Sequence, residues 1–174
     1  MLNLPRNDMS ATNSLHYELC KLGARFIRRK YNPTVPYGNP CKFVTVELVC
    51  QGTELTDVWG TTGYSTVLIE VKTSRADFLA DKKKYARSKV AEELGHQIGN
   101  YRYYLCPEGI ISADELPESW GLLIYDGKKI NMVKKAEKLE SSLTNELLLI
   151  TSIMTRILRP QIFNFRENAE IKFR

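Results

Sequence analysis

The sequence predicts one α/β domain, a mixed β-sheet flanked by α-helices. Three observations predict it. Leu15, Leu19, Leu22 and Phe26 recur at helical spacing near the start. Several later runs of five to nine residues alternate apolar and polar positions, or concentrate β-branched and aromatic residues, as strands do. Read in order, the pattern is helix, three strands, helix, strand, hairpin, helix, which interleaves the two classes as a sheet with helices packed on it.

Each element has its own signal. Asn13 or Ser14 can cap the first helix, which is expected to run to about Lys30. Three prolines and a glycine mark 32–40 as a loop. Over 42–50 the alternation of Val44, Val46, Leu48 and Cys50 predicts a strand with those four on one side. Short strands follow at 56–59 and 65–72, joined by a turn at 60–63. A charged helix is expected over 75–94, with Phe78, Leu79, Ala86, Val90 and Leu94 inward. Strands at 101–106, 121–125 and 129–133 come next, the last two forming a hairpin through Asp126-Gly127. One helical turn is expected near Ala113. The helix over 142–158 is apolar round most of its circumference and stops at Pro160, which suits burial in the core or in a homodimer interface.

Composition narrows the class without naming it. The chain has 174 residues, enough for one domain with a real core, and the expected division is a flexible leader (1–13), a single domain (14–160) and a tail (161–174). Hydrophobic residues make up 43% and charged residues 26%, a globular balance rather than a disordered one. No apolar run approaches the roughly 18 residues of a membrane span, and the start lacks the basic-then-apolar form of a secretory signal. These features lead to the expectation of a cytoplasmic protein with no membrane partner. Cys20, Cys41, Cys50 and Cys106 are scattered without a CxxC pair, which suits reduced, buried thiols better than zinc ligands or disulfides. The net charge of +5 permits nucleic-acid binding without requiring it.

The segment that carries chemistry is Asp57, twelve intervening residues, then Glu70-Val71-Lys72. Side chains alternate along a strand, so Glu70 and Lys72 share a face, and the preceding strand can bring Asp57 beside Glu70. Two carboxylates can hold a hard cation such as Mg²⁺ or Mn²⁺, with the Val71 carbonyl as a further oxygen ligand. Such an ion neutralises phosphate charge and activates water. Lys72, a compact point charge, can orient that water or offset developing negative charge. The competing account is an ordinary salt bridge on a sheet surface.

The run Asp57-x(12)-Glu70-x-Lys72 resembles the signature of the PD-(D/E)XK nuclease superfamily, and the surrounding element order is similar to its restriction-endonuclease-like core. EVKTSRADFLADKKKY (70–85), YRYYLCP (101–107) and LPESWGLLIYDG (116–127) resemble more closely the MmcB-like DNA-repair nucleases of bacteria. The resemblance covers roughly residues 14–133. It implies metal binding by Asp57 and Glu70, a catalytic role for Lys72, and DNA as the partner, in repair, recombination or phage DNA processing. Many superfamily members add an acid from the first core helix, and Glu18 is the acid available here. Glu18 borders the predicted apolar stripe, where a carboxylate seldom sits without a partner, although its head could also reach solvent. Two departures stand out: Thr56 precedes Asp57 where the signature carries proline, and RSKVAEELGHQIG (87–99) is inserted before the next strand.

Further residues have two readings. Ser74 with Asp77 fits a capping box, while Thr73 or Ser74 could donate to a phosphate. Lys82, Lys83, Lys84, Arg87 and Lys89 form either a solvated helix face or a grip on DNA phosphates. Trp59, Tyr101, Tyr103 and Tyr104 suit the core, or could stack on unpaired bases. His16 and His96 have no metal-type partner spacing. The alternatives to a nuclease are a catalytically silent nucleic-acid-binding module of the same fold, and an interaction protein built round the apolar last helix.

Overall fold

A computed structural model describes residues 7–50, 55–84, 91 and 93–158. Its main elements are α1 (Asn7–Arg28), β1 (Phe43–Leu48), β2 (Thr56–Thr61), β3 (Thr66–Val71), α2 (Arg75–Asp81), β4 (Tyr101–Pro107), β5 (Gly121–Tyr125), β6 (Ile130–Lys134) and α3 (Leu143–Leu158). Single 3₁₀ turns lie at Pro36–Gly38 and Ala113–Glu115. The predicted α/β class and element order are the ones observed. The tail at 161–174 lies outside the described residues. Among the described residues no helix is long and apolar enough to cross a membrane.

The six strands lie in chain order, β1 to β6. Pairs β1–β2, β2–β3 and β5–β6 are antiparallel, whereas β3–β4 and β4–β5 are parallel. Parallel neighbours cannot be joined by a tight turn, so the chain leaves the sheet after β3, forms α2, and returns to β4. The two faces of the sheet carry separate cores. Leu19, Cys20, Phe26 and Ile27 of α1 pack with Val58, Val67, Ile69, Val71 and Leu105. On the other face, Phe78 of α2 and Leu149 and Ile153 of α3 cover Trp59, Leu68, Tyr104 and Leu122. Trp59, Tyr101, Tyr103 and Tyr104 are buried, which settles them as core residues.

Several expectations shift. The first helix begins at Asn7 instead of 13–14, so half of the expected leader is helical. Its buried stripe is Leu19, Cys20, Gly23, Phe26 and Ile27, and Leu15 is exposed. The shift follows from Gly23, whose missing side chain lets the helix close on Val58, Ile69 and Leu105. In β1, Val44 and Val46 pack on the α1 side, yet Leu48 packs on the other. Glu47, between them, adopts a left-handed backbone (φ 49°), which interrupts the alternation. Of the helix expected over 75–94, the described residues show the seven-residue α2, with Phe78 and Asp81 turned inward, and helical backbone again at Ala91 and Glu93. Leu79 and Leu94 are exposed, while positions 86 and 90 lie outside the described residues. On α3, Leu149 and Ile153 are buried, but Leu143, Leu147, Met154 and Ile157 remain exposed.

Gly121 shows how tightly the sheet is filled. It pairs with Tyr103 across β4–β5, and a Cβ there would overlap the Tyr103 ring and lie 2.8 Å from the Ala136 amide nitrogen. The ring cannot swing away, because its hydroxyl donates to the Thr34 carbonyl (3.0 Å) and accepts from the Ala136 N–H (3.2 Å). Gly121→Ala is therefore expected to lower stability by about 2 kcal/mol, the usual scale of overpacking, measured as a shifted urea midpoint with an unchanged slope.

Candidate active site

The β2–β3 hairpin sets the site. Its turn closes with the Thr62 amide on the Ser65 carbonyl (2.9 Å), with Gly63 at φ 95°. The ladder pairs Thr61 with Thr66 and ends at Val58 with Ile69, so the next step places Asp57 across from Glu70. Asp57 Oδ2 accepts the Val71 N–H at 2.8 Å, which locks the carboxylate beside the end of β3. Glu70 and Lys72 share the α2-facing side, as strand alternation requires: Lys72 Nζ is 3.3 Å from Glu70 Oε2 and 3.3 Å from Asp81 Oδ1. Asp57 turns to the α1 side instead, with its Oδ1 3.5 Å from His16 Nε2. The two carboxylates thus flank one strand end from its two faces.

Burial makes this cluster expensive to leave incomplete. Glu70 and Lys72 are each 2% exposed, and Asp81 is fully buried. Removing an ion from water costs several kcal/mol even after relaxation, so each buried charge here needs its partners. Asp81 has more than one: Tyr104 donates its hydroxyl to Oδ2 at 2.8 Å, and the exposed Lys84 approaches Oδ1 at 2.7 Å. Tyr104 in turn stacks on Trp120 (centroids 4.7 Å apart) and meets the edge of Phe78 (5.2 Å). The charges therefore rest on an aromatic floor.

The titration behaviour follows. Burial alone would lower the pKa of Lys72, but Glu70, Asp81, Asp57 and Asp77 together raise it above the ordinary lysine value. Lys72 is a fixed cation at neutral pH. Burial likewise pushes Asp57 up, but the hydrogen bond from His16, the Lys72 charge and the Val71 amide hold it below the usual carboxylate range. His16 is raised, chiefly by its bond to Asp57, against the opposing effect of burial. Burial and the nearby Asp57, Glu47 and Glu70 charges push the Cys20 thiol well up.

The residues singled out in the sequence fall as follows. Asp57, Glu70 and Lys72 are brought together, with Val71 between them. Glu18 is not: it is exposed and bound to Lys21 at 2.5 Å, because the α1 stripe is rotated away from it. The same rotation delivers His16, which sequence spacing did not connect to any partner. His16 lies one turn before Cys20 and two before Gly23, on the buried face extended towards the start of α1. Ser74 caps α2, its Oγ accepting the Asp77 N–H at 3.2 Å. Lys82, Lys83 and Lys84 are exposed beyond α2, Lys82 with its ammonium 4.8 Å above the Phe78 ring. Arg87 lies outside the described residues. Asp81 was missed altogether, although its position three residues after Phe78 places it on the same helix face.

Asp57, Glu70 and the Val71 carbonyl form an all-oxygen donor set, the kind that Mg²⁺ and Mn²⁺ accept. Three carboxylates, Asp57, Glu70 and Asp81, thus gather round one buried ammonium, which pairs with Glu70 and Asp81 directly. The donors fit such an ion.

No protein-family model matches the chain, and no curated protein does. Among solved structures it is similar to a protein of unknown function from Silicibacter pomeroyi, at 24% identity and a TM-score of 0.47, over 75% of this chain and 82% of that one.

Two measurements probe the cluster. Asp81→Ala removes one partner each from Lys72 and Tyr104 and is expected to cost about 3 kcal/mol, the scale for breaking a buried ion pair, read from urea unfolding. The His16 imidazole should titrate above 6.5 by NMR and fall back towards or below that value in Asp57→Asn. Because its folded pKa is the higher one, the His16–Asp57 pair stabilises fully below the unfolded pKa. That contribution fades as pH rises through the folded value.

Proposed function

We propose that the chain is a metal-dependent nuclease that hydrolyses DNA phosphodiester bonds. The observation that carries this reading is the arrangement at the end of β3. A carboxylate from the neighbouring strand is locked to the Val71 amide, and a buried acid and ammonium, Glu70 and Lys72, stand on either side of Val71. The element order round it, helix, antiparallel strands, helix, parallel strand, supports the resemblance to the PD-(D/E)XK superfamily.

In this reading Asp57 and Glu70, with the Val71 carbonyl, would hold Mg²⁺ or Mn²⁺. A bound ion of that kind neutralises phosphate charge and supplies an activated water. Lys72 remains protonated, so it serves as a fixed positive charge facing the developing negative charge on the phosphate, not as a general base. Asp81 positions Lys72, and Tyr104 positions Asp81. Lys82, Lys83 and Lys84, exposed just beyond the site, would meet the DNA backbone in this reading, where each phosphate contact adds to salt sensitivity.

One observation favours a second reading, a silent nucleic-acid-binding module. Glu70, Lys72 and Asp81 satisfy one another in a nearly closed network, as a purely structural cluster would.

The test is cleavage of labelled single-stranded, duplex and branched DNA with Mg²⁺ or Mn²⁺ against chelator. Metal-dependent cutting is expected, reduced at least about 100-fold in each of Asp57→Ala, Glu70→Ala and Lys72→Ala. Salt-sensitive binding with no cutting would establish the silent module instead. Cutting that survived Asp57→Ala would refute the assigned centre.

A further inference from the structure

On the α1 side of Asp57 lies a second set of donors that phosphodiester chemistry does not use. His16 and Cys20, one helical turn apart, face the strand end together, with Cys20 Sγ 3.7 Å from His16 Nδ1. His16 Nε2 is 3.5 Å from Asp57 Oδ1. One donor atom from each of the three lies within 4.8 Å of the others, the one such group of three among the described residues.

We propose that His16, Cys20 and Asp57 form a binding site for a divalent transition ion of the zinc class, with Glu47 orienting the imidazole. It shares Asp57 with the proposed phosphodiester centre but has its own ligands, and so goes beyond that reading.

Several features support it. The donors are a nitrogen, a sulfur and an oxygen, a set that suits Zn²⁺ or Co²⁺ and that Mg²⁺ disfavours. One donor atom from each residue lies within 4.8 Å of the others, against about 3.5 Å between ligand atoms in a tetrahedral zinc site, so closing on an ion draws them together by roughly an ångström. A thiolate and a carboxylate would exactly balance the ion's charge, which suits a site whose Cys20 is fully buried. Glu47 adds a further one. Its carboxylate lies 3.5 Å from His16 Nδ1, and its residue holds a left-handed backbone that non-glycine residues rarely adopt. A metal-bound imidazole characteristically gives its other nitrogen to a carboxylate, and both His16 nitrogens have one in reach. Three protein ligands leave a fourth position, and His16 and Asp57 are each about a quarter exposed, at 25% and 22% of their side chains, so that position opens towards solvent.

The experiment is titration of the full chain with Co²⁺, followed by Zn²⁺ competition. One equivalent of Co²⁺ is expected to produce a thiolate-to-cobalt charge-transfer band that Zn²⁺ abolishes. Cys20→Ser should lose the band. His16→Asn, a change at a partly exposed position that tests the site independently, should weaken Zn²⁺ binding at least about tenfold. Glu70→Gln should keep the band. Absence of the band in the wild type, or its survival in Cys20→Ser, would overturn the proposal whether or not DNA is cut. A band without DNA cleavage would support this site and leave the nuclease reading to fail alone.

Discussion

The structure depends on keeping the Lys72 ammonium charged out of water. Alone, that charge would be driven to neutrality or to the surface. Glu70 on its own strand and Asp81 on the following helix hold it, and this requirement fixes more than two side chains. Asp81 reaches Lys72 only if α2 starts immediately after β3 and turns Phe78 and Asp81 inward together. Tyr104 then has to come from the strand parallel to β3, which fixes where the crossover returns. A short helix with two buried positions is stabilised mainly through those contacts, not through propensity.

The far side of the sheet is held differently. There the contacts of α1 are mainly apolar, except in its first half, where His16 meets Asp57 and Glu47. Asp57 therefore sits between two environments, with an amide and an imidazole on its oxygens and the Lys72 charge close by. A carboxylate so placed stays ionised over the whole working range of pH. That is useful to any cation and to none in particular, and the neighbours on each face decide which ion it serves.

Much of this was legible in the residues. The strands with β-branched runs, the Asp126-Gly127 hairpin and the Asp57, Glu70, Lys72 triad all follow from alternation and turn chemistry, because each signal is local. The phase of α1 was not. Leu15, Leu19, Leu22 and Phe26 form a plausible stripe, but the buried one runs through Cys20 and Gly23, a small thiol and no side chain at all. Hydrophobicity undervalues both, and the one-position error exchanged His16 for Glu18. The side switch at Glu47 was equally hidden, since a left-handed glutamate has no sequence signature. Asp81 was readable in principle from its spacing to Phe78, but a charged residue in a charged helix looks solvated until its partner is known.

Residues 57 to 81 supply Asp57, Glu70, Lys72 and Asp81 from one hairpin and the helix after it, whereas His16 and Cys20 come from a distant segment docked on the opposite face. The two halves of the cluster therefore have separate lifetimes. A local opening of α1 would expose Asp57 on that face while the buried triad of Glu70, Lys72 and Asp81 stayed closed against Tyr104. Amide exchange at Cys20 and at Lys72, whose N–H is held by the Leu105 carbonyl at 2.9 Å, would accordingly report two different opening events. The cluster is one centre in space and two units in time.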